Sequence, residues 1–112
     1  MFSFENLDVY KCAIQFFAQA SSMIGTLPTG HAALTDQLKR ASLSVPPNIA
    51  EGSGRTGRND QRRHYAIARG SAMECAAILD ACRVLGLGDS KRIEEARAHL
   101  ERIVAMLSKM CR

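Results

Sequence analysis

Ile93-Glu94-Glu95-Ala96-Arg97-Ala98-His99-Leu100-Glu101-Arg102-Ile103-Val104-Ala105-Met106-Leu107-Ser108-Lys109-Met110 carries the most regular pattern in the chain. Ile93, Ala96, Leu100, Ile103, Leu107 and Met110 recur at steps of 3, 4, 3, 4 and 3, so they fall on one side of an α-helix. Glu94, Glu95, Arg97, Glu101 and Arg102 take the opposite side, where they can pair locally. Asp89 or Ser90 supplies the N-cap. Such a stripe must be buried against other helices.

Three further helices are predicted upstream. The first spans about Leu7 to Ile24, with Asn6 as cap and Asp8 in the first turn. Leu7, Tyr10, Ile14, Phe17, Ser21 and Ile24 form its expected bundle stripe, and Cys12, Phe16, Ala20 and Met23 a second apolar face that needs another neighbour. Gly25 and Leu27-Pro28-Thr29-Gly30 end it. The second helix begins near His31 or Ala32 and turns Leu34, Leu38, Ala41 and Val45 inward, with Ile49 continuing the stripe. Pro46-Pro47 interrupts its hydrogen bonding. Either the helix continues with a kink or it breaks and restarts; Ile49, four residues past Val45, favours the kink. Ser42 and Ser44 are placed to rebond freed backbone groups.

Gly52-Ser53-Gly54-Arg55-Thr56-Gly57-Arg58 reads as a glycine-rich turn. It lacks the Gly-Lys-Ser/Thr ending and the preceding strand of a phosphate-cradling loop. The third helix follows from about Asp60 to Leu85, capped by Asn59, with Tyr65, Ala68, Ala72, Cys75, Leu79 and Cys82 inward. Beside that stripe runs a row of Ala66, Gly70, Met73 and Ala77. Glycine inside a helix costs about 1 kcal/mol against alanine, so a close helix contact is expected at Gly70. No segment reads as a strand. Short connections give one domain, residues 1–112: an all-α, antiparallel up-down-up-down four-helix bundle, with the second helix kinked at Pro46-Pro47.

Little points to catalysis. His31, His64 and His99 lie in separate segments without helical ligand spacing. Cys12, Cys75, Cys82 and Cys111 include no Cys-x-x-Cys pair, and the first three read as buried reduced thiols. No metal, cofactor or enzyme activity is expected. Glu51 and Glu74 are candidate buried carboxylates, read as hydrogen-bond anchors rather than bases. There is no apolar run of about 20 residues for a membrane span. Met1-Phe2-Ser3-Phe4-Glu5-Asn6 has no signal-peptide pattern, so the expected compartment is the cytoplasm.

The net charge of +4 is unevenly placed. Lys39, Arg40, Arg55, Arg58, Arg62, Arg63 and Arg69 fall in a segment holding only two acids, Glu51 and Asp60. Such an excess attracts phosphate backbones; a solvated, solubilising surface is the competing reading. Aromatic residues make up 5%, too few for much base stacking, so binding to RNA or DNA would be backbone-directed. The same apolar faces would equally suit a protein-interaction adaptor.

Two stretches are distinctive. One is Asp36-Gln37-Leu38-Lys39-Arg40-Ala41-Ser42-Leu43-Ser44-Val45-Pro46-Pro47-Asn48-Ile49-Ala50-Glu51-Gly52-Ser53-Gly54-Arg55; the other is Tyr65-Ala66-Ile67-Ala68-Arg69-Gly70-Ser71-Ala72-Met73-Glu74-Cys75. With them the chain resembles the 23S rRNA intervening-sequence protein family of four-helix bundles. The resemblance singles out Pro46, Asn48, Glu51, Gly52, Gly70, Ser71 and Glu74 as motif positions. It implies small bacterial proteins, some encoded within intervening sequences of ribosomal RNA genes. Relatives include the accessory protein of diversity-generating retroelements, a five-fold ring that binds nucleic acid and a reverse transcriptase. A homopentamer, with RNA, DNA or a protein as partner, is what the resemblance implies.

Overall fold

The computed structural model describes residues 1–112. After a single 3-10 turn at Ser3–Asn6 come four helices: α1 (Asp8–Thr26), α2 (Ala32–Gly54), α3 (Arg58–Val84) and α4 (Ser90–Met110). They fill a body of 44 × 22 × 21 Å. Each helix packs closely on two others in the cycle α1–α2–α3–α4–α1, and the backbones of the diagonal pairs stay apart. Cross-helix contacts give the directions. Arg58 meets Arg112, Arg69 meets Ser108 and Arg97 meets Asp80, so α3 and α4 run antiparallel. Asn48 with His64 and Ser44 with Ser71 do the same for α2 and α3.

The core is one cluster drawn from all four helices. Phe16, Leu38, Ile49, Leu79, Ile93, Leu100, Ile103 and Leu107 are its large fully buried side chains. Burial of each stabilises the fold by about 1.5–3 kcal/mol. The stripes expected on α2, α3 and α4 all face inward. On α1 the second face is the deeper one: Val9, Cys12, Ala13, Phe16, Ala20 and Met23 are buried, while of the first stripe Leu7, Tyr10, Phe17 and Ile24 are half-buried and Ile14 and Ser21 face solvent. Both faces have helical spacing. Small Cys12, Ala13 and Ala20 around Phe16 let that face approach its neighbours closely.

Asn6 is not the cap of α1; it ends the 3-10 turn, and Leu7 occupies the cap position with no side-chain bond. That turn is held by Phe2 N–H donating to Glu5 Oε1 at 2.9 Å, and Phe4 packs edge-on against Tyr10. Asp89 caps α4 as expected, its Oδ1 accepting from Lys91 N–H. Between α3 and α4, Leu87 N–H bonds Cys82 O and Gly86 N–H bonds Arg83 O. This Schellman arrangement requires a left-handed residue, supplied by Gly86 at φ 71°.

α2 continues without a break through Pro46 and Pro47. The two missing amides leave the Ser42 and Leu43 carbonyls without their usual partners. The side-chain bonds nearby go elsewhere: Ser42 Oγ donates to Lys39 O, and Asn48 Nδ2 to Ser44 O. Burial of Leu38, Ala41, Val45 and Ile49 on both sides of the prolines carries the helix across. The helix also runs further than its glycines suggest. Gly52, Ser53 and Gly54 are helical, and the turn is only Arg55-Thr56-Gly57, with Gly57 rather than Asn59 at the cap of α3.

Candidate functional site

The α2–α3 turn places residues equidistant from it opposite one another. Asn48, Glu51 and Gly52 on α2 therefore meet His64 and Tyr65 on α3. Asn48 Nδ2 donates to Ser44 O at 2.8 Å, which leaves Oδ1 as acceptor for the N–H at His64 Nδ1, 3.3 Å away. His64 Nε2 lies 3.2 Å from Glu51 Oε2. That approach is not aligned as a hydrogen bond, and Nε2 has no other partner, so the contact is electrostatic. Glu51 also accepts from Arg55 at 2.6 Å. The Arg55 guanidinium first, and His64 second, hold the Glu51 carboxyl below its ordinary 4.5. One turn further along, the Ser71 hydroxyl donates to Ser44 Oγ at 2.9 Å.

These bonds clasp α2 to α3. No serine hydroxyl is bonded to His64, because Asn48 stands between the imidazole and Ser44. The carboxylates differ from expectation: Glu51 and Glu74 are both exposed, not buried. Glu51 anchors to Arg55 and His64 rather than to backbone near Pro46, since its side chain leaves α2 on the α3 side. Gly70 also departs from expectation. Nothing lies within 4 Å of a Cβ placed there, because Ala66, Gly70, Met73 and Ala77 all face solvent. The close approach occurs instead at Gly52, under Tyr65. Of the motif positions, Asn48, Glu51, Gly52 and Ser71 join the clasp, Pro46 is buried beside it, and Gly70 and Glu74 lie on the open face of α3.

The seven basic residues do not form one patch. Arg55, Arg58, Arg62 and Arg63 gather at the α2–α3 end of the bundle. Lys39 and Arg40 sit about 24 Å away along α2, at 1.5 Å per residue. Arg69 points to the α3–α4 seam, where its Nε donates to Ser108 Oγ at 2.8 Å. The fold adds a contact the sequence does not suggest: the main-chain carbonyl of Arg112 accepts from Arg58 at 3.0 Å. It also adds an acid. Glu51 neutralises Arg55 and faces Arg63, so Asp60 is not the sole carboxylate there. Arg62 keeps a buried Nε without a hydrogen-bond partner.

His64 was legible only as a structural histidine, and Arg112 not at all. The usable signal for His64 is the short turn: across it, partner numbers have a nearly constant sum, which pairs Glu51 with His64. No such rule brings the C-terminus of α4 to Arg58.

The thiols of Cys12, Cys75 and Cys82 are buried and free. Burial pushes Cys75 up to about 12 and raises Cys12 and Cys82 as well. No helix is long and apolar enough to cross a membrane.

Residues 5–109 match the family model described as 23S rRNA-intervening sequence protein. The chain is similar to a crystal structure from Bacteroides thetaiotaomicron VPI-5482, of a protein with unknown function from the S23 ribosomal protein family. The TM-score is 0.85 at 18% identity, over 93% of this chain and 98% of that one; the likeness is one of fold. No curated protein matches the sequence.

Proposed function

The chain belongs to the 23S rRNA-intervening sequence protein family, and on that footing we propose that it is a non-enzymatic, self-associating protein that binds RNA or DNA through the phosphate backbone. The carrying observation is the gathering of Arg55, Arg58, Arg62 and Arg63 at the turn into α3 and its first two turns. A helix N-terminus already bears partial positive charge. Several guanidiniums there repel one another beyond what Glu51 and Asp60 offset, and phosphates relieve that repulsion. Five copies in a ring would carry about +20, a strong field at low salt. Recognition is then weakly sequence-specific, because phosphate contacts position rather than specify. The protein acts in the cytoplasm.

The test is fluorescence anisotropy of labelled RNA and DNA across a salt series, for wild type and for Arg55, Arg58, Arg62 and Arg63 all changed to Gln. Wild type binds at low salt, and the salt slope falls by about one unit for each phosphate contact removed. Light scattering confirms that the variant keeps the assembly of the wild type. Equal binding by the two proteins rejects the site. Lost assembly shows instead that the arginines pair with acids of a neighbouring copy. A second reading, a protein adaptor without nucleic acid, draws on the apolar groove between α3 and α4; it predicts no salt-dependent binding by either protein.

A further inference from the structure

Half of the aromatic residues of the chain, Phe2, Phe4 and Tyr10, form one ladder at the start of the bundle. Phe2 stacks on Phe4 with ring centroids 5.6 Å apart and planes 11° from parallel, and Phe4 meets Tyr10 edge-on at 4.8 Å. The 3-10 turn fixes the ladder. Glu5 N–H donates to Phe2 O, Leu7 N–H donates to Phe4 O, and the Glu5 carboxylate accepts the Phe2 N–H. Phe2 is nevertheless 71% exposed. A ring held in place but left in water adds little to the core. One of its faces rests on Phe4, and the other is open to a further flat ring.

The ladder stands at the arginine end of the molecule. Residues 27–31 alone join α1 to α2, too short a link to return along the bundle. The start of α1 therefore lies beside the end of α2, and the 3-10 turn packs on α2 as well as on α1. Arg55 follows that end directly, with Arg58, Arg62 and Arg63 just beyond it. The bundle is 22 × 21 Å across, so rings and guanidiniums share one narrow end. The charges there are sorted. Glu5, inside the turn, and Asp8, which opens α1, stand next to the rings, with Lys11 as the neighbouring cation. The arginines stand at the turn into α3.

We propose that Phe2 stacks an unpaired base of a single-stranded nucleic acid whose phosphates lie on Arg55, Arg58, Arg62 and Arg63. This rests on the backbone binding of the proposed function and names its substrate class: single strands rather than duplexes. A duplex keeps its bases inside and presents phosphates, which Glu5 and Asp8 repel from the ladder. A single strand can turn a base toward the ring and its phosphates toward the arginines. Stacking on an aromatic ring tolerates any base, so the preference is for strandedness and not for sequence. The turn is already ordered before binding, which lowers the entropy cost of the contact.

The experiment compares three probes at low salt: an oligothymidylate of about 12 nucleotides, within the span a small single-strand-binding domain covers, the same strand annealed to oligoadenylate, and an abasic strand of equal length. Wild type binds the oligothymidylate about tenfold more tightly than either of the others. Phe2→Leu keeps the binding of the abasic strand and loses that advantage. The chain has no tryptophan, so Phe2→Trp restores the stack and reports it: its fluorescence is quenched by the oligothymidylate and not by the abasic strand. If Phe2→Leu matches wild type on all three probes, or the tryptophan is not quenched, the stacking is rejected while the backbone binding stands. Equal affinity of wild type for the three probes rejects it in the same way. No binding of any probe by wild type overturns both readings. Should Phe2→Leu change the assembly seen by light scattering, the ring belongs to a contact between copies and the proposal falls. Should it lose helicity, the quenching in Phe2→Trp decides.

Discussion

Gly52 lies directly beneath the ring of Tyr65: a Cβ on Gly52 would stand 2.7 Å from Cε1 and 2.9 Å from Cδ1. Tyr65 is 6% exposed. The glycine lets α2 and α3 close tightly enough for Asn48 and Glu51 to reach His64. A helix-interior glycine is thus retained where its missing side chain is occupied by a neighbour.

Gly52→Ala therefore overpacks this seam and destabilises the fold by about 1–3 kcal/mol despite the better helix propensity of alanine. Gly70→Ala, with nothing within 4 Å of its added carbon, stabilises by about 0.4–1 kcal/mol. Urea denaturation of the two variants measures the opposite signs.

Glu51 gives the clasp a pH dependence. Its carboxyl is held below the ordinary 4.5 by Arg55 and then by His64. A group depressed in the folded state contributes stability above its unfolded pKa and loses it as pH falls through the folded one. The stability gap between wild type and Glu51→Gln is accordingly present at pH 7 and closes as the pH is lowered below 4.5. Denaturation midpoints at pH 7, 4.5 and 3 follow it.

The cysteines should separate by reactivity. Thiolate is the reactive form, and Cys75 is both fully buried and pushed up to about 12. Cys12 and Cys82 are buried and raised too. Cys111, in the last turn and partly exposed, is the thiol that iodoacetamide labels in the native protein at about pH 8. All four react in denaturant. Mass spectrometry counts the adducts.

Lys39 and Arg40 test whether the basic segment works by sequence or by position. They lie about 24 Å along α2 from Arg55. Lys39→Gln with Arg40→Gln leaves the salt slope of RNA binding nearly unchanged. Arg58→Gln with Arg62→Gln lowers it by about two units. Equal losses from both pairs would show a surface spread along the whole of α2.

What the sequence determined by itself is the set of helices and most of their inward sides. The 3–4 spacing of Ile93, Ala96, Leu100, Ile103 and Leu107, or of Tyr65, Ala68, Ala72, Cys75 and Leu79, is a local property that one helix can satisfy in one way. The Asp89 cap is local for the same reason. Tertiary structure alone decided what local pattern leaves degenerate. α1 has two helical apolar faces, and the packing of Phe16 among small residues decided which is buried deepest. Helix propensity marks Gly70 as costly and turn composition hides Gly52, but only the extension of α2 to Gly54 and the arrival of Tyr65 tell which glycine is filled. The basic run from Lys39 to Arg69 is contiguous in the chain, yet 1.5 Å of rise per residue pulls it apart, while antiparallel packing brings Arg112 to Arg58 from 54 residues away. Charge and contact depend on distance in space, and only the closed bundle fixes that distance.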